Sequence, residues 1–224
     1  MNERVRTQFN TLSADYDANR RKLIPAFDAF YGAGIDFLTY EGDAPAVLDI
    51  GAGTGIFTAR LLERYPDASV TLLDFSDNML GLACEKFSGN SRISYVLGDY
   101  SEADLGAGRF DAAISALSLH HLNPEMKRAF FSKVKAALRE GGEFINADIV
   151  KYADPDLTAG FDARWTDFVR GNLGEGEFFD RFLKSKDVDD PSTVEEQLAW
   201  LRDCGFERAY SLFHYYNFAV IYAK

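Results

Sequence analysis

An apolar run that ends in three alternating glycines constrains the fold of this chain more than any other feature. Residues Ala46–Ile50 are followed at once by Gly51-Ala-Gly-Thr-Gly55, and then by helix-forming residues from Ile56 to Tyr65. The apolar run predicts a short buried strand, and the glycines predict a tight turn into a helix. Glycines let a ligand approach the backbone closely, and a helix N-terminus directs free N–H groups towards it. The stretch therefore predicts a ligand-binding turn.

The chain beyond this turn alternates between strand and helix patterns. Further strands are predicted at 69–74, 93–97, 110–116 and 143–149. This alternation predicts right-handed crossovers and a mostly parallel sheet with helices on both faces. Two more β-like runs, at 209–213 and 217–222, predict a closing antiparallel pair. We expect an α/β fold with a doubly wound, seven-stranded, mostly parallel, Rossmann-like sheet that ends in an antiparallel hairpin.

Helical segments precede and interrupt this predicted core. Apolar residues recur at helical intervals before the first strand, broken by Pro25, and again between the fifth strand and the closing pair. We therefore predict a single domain with an N-terminal helical lid and a helical insertion. Its parts are the lid 1–40, the core 45–150, the insertion 153–190, and the closing helix and hairpin 193–224.

Charge and cysteine content argue against several classes of protein. The net charge is −11. This charge disfavours binding to nucleic acid, because such binding depends on Lys and Arg that neutralise phosphates. The two cysteines, Cys84 and Cys204, lie far apart without Cys-x-x-Cys spacing, so we predict neither disulfides nor a metal site. The N-terminus lacks a signal-peptide core, and no apolar run is long enough to cross a bilayer. We expect a cytoplasmic protein that binds neither nucleic acid nor membrane.

Acidic residues follow several of the predicted strands. Asp74 ends the second strand about 20 residues beyond the glycine turn, where a carboxylate suits the two hydroxyls of a ribose. Asp49, Asp99 with Tyr100, and residues 115–121 fall at other strand ends. Ligands in such sheets bind beyond the carboxyl ends of the strands, so we expect four loops to converge on one crevice.

In this order and spacing, the motifs of the chain resemble those of the class I S-adenosylmethionine (SAM)-dependent methyltransferases. The resemblance covers roughly residues 45–150, and the motifs are specific together although each alone would be weak. They are Val47-Leu-Asp-Ile-Gly-Ala-Gly-Thr-Gly55, Leu72-Leu-Asp-Phe-Ser76, Gly98-Asp99-Tyr100, Phe110-Asp111 through His120-His121-Leu122, and Leu138-Arg-Glu-Gly-Gly-Glu-Phe144.

The resemblance implies SAM as the cofactor and S-adenosylhomocysteine (SAH) as the product. It implies that Gly51, Ala52 and Gly53 lie behind the methionine part of SAM. Asp49 and the backbone around Ala116 are expected near the methionine amino group.

The resemblance also assigns the nucleoside end of the cofactor. It implies that Asp74 takes the ribose hydroxyls, and that Phe75 and Met79 pack on the adenine. Asp99 is expected to accept a hydrogen bond from the adenine amino group, with Tyr100 beside it.

The segment from Phe9 to Tyr31 resembles the lid of small-molecule methyltransferases. There, Tyr16 and one of two adjacent arginines, Arg20 or Arg21, are expected to hold the methionine carboxylate. The spacing does not separate the two arginines. A solvated helix end explains the same polar residues equally well.

The acceptor side is less determined. His120 and His121 follow the fourth strand, where either could be a general base or a buried, hydrogen-bonded residue. Candidates for the acceptor wall on the insertion also fit an amphipathic helix packed on the sheet. They are Asp162, Arg164, Trp165, Phe168, Arg170 and Phe178.

Glycine spacing argues against a nicotinamide-dependent oxidoreductase, which shares the strand, the glycine turn and the later acid. The dinucleotide fingerprint needs its third glycine at the position of Ile56, one residue after Gly55.

The function predicted is methyl transfer from SAM to a small-molecule acceptor. Aromatic surface on the insertion is compatible with a homodimer. A SAM-binding regulatory protein without activity and a carboxy-SAM synthase-like enzyme remain alternatives.

Overall fold

The computed structural model describes residues 16–224, apart from the side chains of Tyr16 and Glu177. The first part of the predicted lid, residues 1–15, therefore lies outside the described residues. The strands are β1 (Ala46–Ile50), β2 (Ser69–Asp74), β3 (Ile93–Leu97), β4 (Phe110–Ala116), β5 (Leu138–Ile149), β6 (Ala209–Tyr215) and β7 (Phe218–Ala223).

Helices flank these strands in the described part of the chain. They are α1 (Tyr16–Leu23), α2 (Phe27–Phe37), α3 (Ile56–Arg64), α4 (Asp77–Lys86), α5 (Pro124–Ala137), α6 (Pro155–Leu173), α7 (Glu177–Ser185) and α8 (Val194–Asp203), with short 3₁₀ turns at Leu119–His121 and Lys186–Val188. Among residues 16–224, no helix has the length and apolar character needed to cross a bilayer.

The seven strands form one sheet in the order β3-β2-β1-β4-β5-β7-β6. Strands β1 to β5 pair in parallel, whereas β7 runs antiparallel to both β5 and β6. The predicted doubly wound sheet with a closing hairpin is therefore confirmed. The chain leaves β1 towards β2 on one side and returns to β4 on the other, which creates a crevice where the strand order reverses.

Both faces of the sheet are covered, which explains why its central strands are apolar along their whole length. One core cluster joins the sheet to α2, α3 and α6, and another joins it to α5 and α8. A parallel sheet buried on both faces needs nearly continuous apolar strands rather than alternating ones. The run Val47-Leu-Asp-Ile50 follows this rule except for the buried Asp49.

Strand β5 begins earlier than the sequence predicts. A turn was expected at Gly141-Gly142 before a strand at 143–149, but pairing with β4 already starts at Leu138. The register shifts between Phe110 and Ala112, and Gly141 has a φ of 71°. The two glycines therefore form an irregularity inside one long strand, because glycine accepts the left-handed conformation that the bulge requires.

Helix α6, in the predicted insertion, packs on α1 and on the sheet. The indole Nε1 of Trp165 donates to the carbonyl oxygen of Leu23, at the end of α1, over 2.7 Å. Its ring meets the edges of Phe182 and Phe218 at centroid distances of 4.9 and 5.1 Å. Trp165 thus belongs to the core that fastens α1 and α7 to the sheet.

Candidate functional site

An open crevice lies at the carboxyl ends of β1, β2 and β4; the space between its walls is about 530 Å³, open solvent included. The glycine turn, the end of β2, the segment after β4 and helix α1 all contribute to it. Its lining residues are Arg20, Tyr31, Asp49, Gly51, Ala52, Gly53, Thr54, Ile56, Phe57, Asp74, Phe75, Met79, Ala116, Leu117, Ser118 and His121.

The glycine turn forms the floor of the crevice. Gly51 has a φ of 63°, and its N–H donates to the carbonyl oxygen of Leu73 over 2.8 Å. A Cβ at this position would overlap the side chain of Ser118. Gly53 is also left-handed, with a φ of 55°, but a Cβ there would meet only Met79, at 3.9 Å from its Cε. Gly51 is therefore required by the fold, whereas Gly53 keeps space open on the crevice side.

Asp49 is a buried carboxylate at the end of β1. Its Oδ2 accepts from the hydroxyl of Thr58 over 2.5 Å, and its Oδ1 has no hydrogen-bond partner within residues 16–224. Burial raises the pKa of Asp49 to about 7. A buried carboxylate oxygen without a partner is costly unless a donor or a cation reaches it. Asp49 can therefore receive a positively charged group from the crevice.

Asp74 shapes the turn and also faces the crevice. Its Oδ2 accepts from the N–H of Gly53 and its Oδ1 from the N–H of Ser76, each over 2.8 Å. Burial outweighs these hydrogen bonds and raises the pKa of Asp74 to about 6. Each carboxylate oxygen has a second lone pair, so Asp74 can accept further hydrogen bonds from a ligand.

The segment after β4 is held in a strained conformation. Leu117 has a φ of 52°, which is unusual for a residue with a branched side chain, and its N–H donates to Ala147 over 2.8 Å. The hydroxyl of Tyr100 donates to the carbonyl oxygen of Ser118 over 2.8 Å. Such conformations cluster at functional sites, where surrounding contacts hold them in place. The sequence did not predict the conformation of Leu117, because no residue type is characteristic of this backbone geometry.

Helix α1 is fastened to the glycine turn by a polar cluster that we name the clasp, formed by Asp17, Thr54 and Lys86. The Thr54 hydroxyl donates to Asp17 over 2.5 Å, and Lys86 Nζ lies 2.6 Å from the other Asp17 oxygen. Lys86 Nζ also donates to the carbonyl oxygen of Thr54 over 2.6 Å. The polar residues of α1 are evident in the sequence, but their partners are not, because Thr54 and Lys86 lie far away in the chain.

The two adjacent arginines of α1 point to different places. Arg20 lines the crevice. Arg21 is exposed, pairs with Asp28 at 2.6 Å, and lies 4.5 Å from the centroid of the Phe27 ring. The hydrogen bond to Asp28 raises the pKa of Arg21 above its usual value. The structure therefore brings Arg20 to the crevice and leaves Arg21 on the surface, while the Tyr16 side chain lies outside the described part.

The two histidines also differ. His121 lines the crevice, and burial lowers its pKa. His120 is buried, with Nδ1 at 2.5 Å from a carboxylate oxygen of Asp148 and its ring centroid 4.0 Å from that of His121. Burial opposes the charged form of His120, but the charges of Asp148 and Asp189 raise its pKa overall.

Other predicted residues do not reach the crevice wall. Tyr100 is fully buried, with its ring 5.5 Å from that of Phe130, and supports the wall from behind. The Asp99 carboxylate accepts from the backbone and the hydroxyl of Ser101. None of the six acceptor-wall candidates on α6 and α7 is among the described residues that line the crevice.

Known proteins share this fold. The strand order, the glycine turn and the two buried aspartates define an α/β protein with a crevice at the switch point of its sheet, where such folds bind their ligands. Residues 47–142 match the family described as methyltransferase domain. The chain belongs to the class I SAM-dependent methyltransferases.

Relatives with curated names include two different enzymes. A carboxy-S-adenosyl-L-methionine synthase of Chromohalobacter salexigens is 30% identical over 184 residues, which are 79% of this chain and 67% of that protein. A malonyl-[acyl-carrier protein] O-methyltransferase of Geobacter sulfurreducens is 29% identical over 169 residues, which are 75% of this chain and 61% of that protein. The chain thus spans about two thirds or less of the length of these relatives.

Solved structures share the fold at lower identity. The DhpI-SAM-HEP complex has a TM-score of 0.66 at 18% identity, over 99% of this chain and 94% of that chain. A phosphoethanolamine N-methyltransferase 2 of Haemonchus contortus, in complex with phosphomonomethylethanolamine and SAH, has a TM-score of 0.68 at 18% identity, over 92% of this chain and 45% of that chain.

Proposed function

We propose that the chain binds SAM in the crevice and transfers its methyl group to a small-molecule acceptor. The observation that carries this proposal is the buried Oδ1 of Asp49, which has no partner among residues 16–224 and lies beside a glycine turn that is hydrogen-bonded to Asp74. SAM carries an α-ammonium group at its methionine end and ribose hydroxyls in its adenosine end. A crevice with a carboxylate for each of these groups matches both ends of SAM.

The proposed contacts follow from the lining of the crevice. The α-ammonium group lies against Asp49, while the guanidinium of Arg20 pairs with the α-carboxylate. Asp74 accepts from the ribose hydroxyls through its remaining lone pairs. Phe75 and Met79, both buried at the crevice, pack on the adenine.

Methyl transfer depends more on the alignment of the acceptor with SAM than on reactive groups supplied by the protein. The bond between sulfur and the methyl carbon breaks while the acceptor bonds to that carbon, and SAH leaves with the electron pair. Holding the acceptor in line with the sulfur can supply much of the rate enhancement. In this proposal the strained segment at Leu117 and Ser118 and the lid helix α1 keep the two reactants in that position.

An acceptor that is a small molecule fits the charge of the chain. The net charge of −11 disfavours binding to nucleic acid, because that binding depends on neutralising phosphates. The lid helix and the insertion meet through Trp165 and Leu23, and we propose that they enclose the acceptor.

We also propose that the protein acts in the cytoplasm. We further propose that Phe178, which is exposed on α7, allows a homodimer, and a mass measurement in solution would reveal it.

A second candidate function is the synthesis of a carboxylated SAM. A carboxy-S-adenosyl-L-methionine synthase of Helicobacter hepaticus is 26% identical over 93% of this chain and 90% of its own length. This coverage supports a similar reaction, in which SAM is altered rather than consumed as a methyl donor.

Mass spectrometry separates the two candidates. The protein is incubated with SAM that carries an isotopic label in its methyl group, together with a pool of small metabolites. Methyl transfer predicts SAH and a labelled product. Carboxylation predicts labelled SAM whose methyl carbon has lost a proton and gained a carboxyl group from a metabolite in the pool that can release CO₂. If neither product forms although SAM binds, the protein is a regulatory binder and the proposed activity is wrong.

A further inference from the structure

We propose that His120, His121 and Asp189 form a binding site for a divalent transition-metal ion at the wall of the crevice. Nε2 of His120, Nδ1 of His121 and a carboxylate oxygen of Asp189 lie within 4.8 Å of one another. Two imidazoles with one carboxylate are a recognised ligand set for such ions. The cysteine spacing alone predicted no metal site, and Asp189 is too far from the histidines along the chain to indicate one.

The spacing of the three atoms suits a common metal ion. Asp189 Oδ1 lies 3.2 Å from His121 Nδ1 and 3.4 Å from His120 Nε2. Ligand atoms bonded to one ion at about 2.0–2.2 Å are about 2.8–3.1 Å apart in octahedral geometry and about 3.3–3.6 Å apart in tetrahedral geometry. Both distances to Asp189 lie within the span of these geometries, and the ligand atoms all lie within 4.8 Å of one another, so movements of the side chains can bring them to one ion.

Electrostatics at the cluster also favour a cation. Nδ1 of His120 is 2.5 Å from Asp148 and its Nε2 is 3.4 Å from Asp189 Oδ1, so two carboxylates attract positive charge to this ring. Asp189 Oδ1 is buried and accepts no hydrogen bond from any residue that the structure describes. A bound ion would take the place of a proton on Nε2 and would give Asp189 Oδ1 a partner.

Neighbouring contacts hold the ligands in place. The N–H of Asp190 donates to the carbonyl oxygen of His120 over 2.8 Å, which ties the end of the insertion to the 3₁₀ turn. Lys127 Nζ donates to the carbonyl oxygen of Asp190 and, over 2.9 Å, to the hydroxyl of Ser192. The carboxylate of Asp148 orients His120, as carboxylates commonly do for metal-bound histidines. The ligands therefore belong to a supported arrangement.

The position of the site indicates what an ion would do. Three protein ligands leave coordination positions open, and His121 lines the crevice. An ion bound there would supply Lewis acidity to an oxygen of a hydroxyl- or carboxylate-bearing acceptor. This role rests on the proposed methyl transfer, whereas metal binding itself does not.

Cobalt(II) alone provides the test. Tag-free protein is titrated with Co²⁺ and followed by visible absorption and calorimetry, in a background in which Cys84→Ser and Cys204→Ser remove both thiols. We expect one bound ion per chain. His121→Asn and Asp189→Asn should each weaken binding by at least about tenfold, because each removes a direct ligand. His214→Asn, which removes the remaining histidine on β6, should leave binding unchanged.

The readouts distinguish this proposal from the proposed function. SAH affinity of Asp189→Asn, measured separately, checks that the crevice is intact, and His121→Asn carries the test if Asp189→Asn does not fold. Absence of Co²⁺ binding by the parent protein, or binding by both ligand variants that is as tight as that of the parent, would overturn the metal site. Co²⁺ binding without SAH binding would leave the metal site standing and reject the methyltransferase proposal.

Discussion

Asp49 combines a stability cost with a binding role, and the two can be measured separately. Burial raises its pKa from 3.8 to about 7. Between these two pH values the carboxyl group is therefore protonated in the folded state and ionised in the unfolded state. Stability from this group therefore falls as the pH rises from about 4 to about 7, and the cost is fully present at pH 8. We expect Asp49→Asn to raise the melting temperature at pH 8 by a few degrees, and much less at pH 4 to 5.

The same substitution should weaken cofactor binding. Asparagine keeps the shape of Asp49 but loses the charge that faces the α-ammonium group, so we expect SAH affinity to fall by at least about tenfold. Differential scanning fluorimetry across pH and calorimetry with SAH measure the two effects. Unchanged affinity, or a shift in melting temperature that does not depend on pH, would contradict the assigned role of Asp49.

Gly53 and Gly81 offer a matched pair of substitutions. Gly53 is left-handed and a Cβ there would project beside Met79 in the crevice, whereas Gly81 lies inside α4 with open space around it. We expect Gly53→Ala to lower both stability, by about 1–2 kcal/mol, and SAH affinity. Gly81→Ala should stabilise the helix by about 0.5–1 kcal/mol and leave affinity unchanged. Equal SAH affinities in the two variants would show that Gly53 is remote from the ligand.

The residue types in the sequence indicated which residues line the crevice, but they did not indicate in which direction each side chain points. Asp49, the glycines, Asp74 and Ala116 all line it, because carboxyl ends of parallel strands meet at one edge of a sheet. Spacing did not separate Arg20 from Arg21, since adjacent residues on a helix point about 100° apart and the sequence does not give the rotation of α1. Their roles in binding SAM remain predictions.

At the level of elements, the clasp links the lid helix α1 to the glycine turn. Asp17→Asn keeps the side-chain size but removes the charge that pairs with Lys86. We expect faster amide hydrogen exchange in α1 and SAH affinity lower by about threefold to tenfold, in line with the loss of about 1 kcal/mol from a partly exposed ion pair.

The exposed pair on the same lid serves as the control for the clasp. Asp28→Asn removes the partner of Arg21, which lies on the surface. Hydrogen exchange in α1 and SAH affinity should stay close to the wild-type values. If Asp28→Asn and Asp17→Asn behave alike, the clasp does not couple α1 to the cofactor.

Most elements were predictable because their signals are local. The N-caps Ser76, Asn123 and Thr193 mark the starts of α4, α5 and α8 through side-chain hydrogen bonds to the backbone. The early start of β5 was not predictable, because Gly141-Gly142 has the composition of a turn and only pairing with β4 keeps it in a strand. Tertiary contacts overrode local preference there.

For the whole molecule, Glu143 on β5 ties the segment after α2 to strand β7 and the end of the chain. It accepts from the backbone and hydroxyl of Thr39, after α2, and from Tyr222 on β7 and Lys224. Burial opposes the charge, but these hydrogen bonds prevail and lower the pKa of Glu143 below its usual value of 4.5. Its contribution to stability is therefore present above about pH 4.5 and is lost as the pH falls further.

We expect Glu143→Gln to lower the melting temperature at neutral pH by several degrees, because one amide cannot accept all of these hydrogen bonds. Below pH 4 the difference from wild type should shrink. Glu140→Gln, at an exposed position of the same strand, should change little at either pH. A loss of stability that persists unchanged at low pH would indicate a packing defect instead of a lost charge.

In the proposed reaction, the cofactor site can be recognised in the sequence, whereas the acceptor site can be recognised only in the folded structure. The cofactor half uses short motifs within residues 47–142, which the sequence displays directly. The acceptor half brings together the lid, the segment after β4 and the end of the insertion, where Asp189 meets His121 at 3.2 Å. These parts are distant in the chain, so only the folded molecule brings them next to each other.

Calorimetric titration of the wild-type protein with SAH, with NADH as the alternative ligand, tests the central claim most directly. The crevice contains a carboxylate for an α-ammonium group and a glycine turn without the dinucleotide spacing. We predict saturable binding of one SAH per chain and no binding of NADH. Binding of NADH without SAH, or binding of neither ligand, would contradict the assignment of the crevice to SAM.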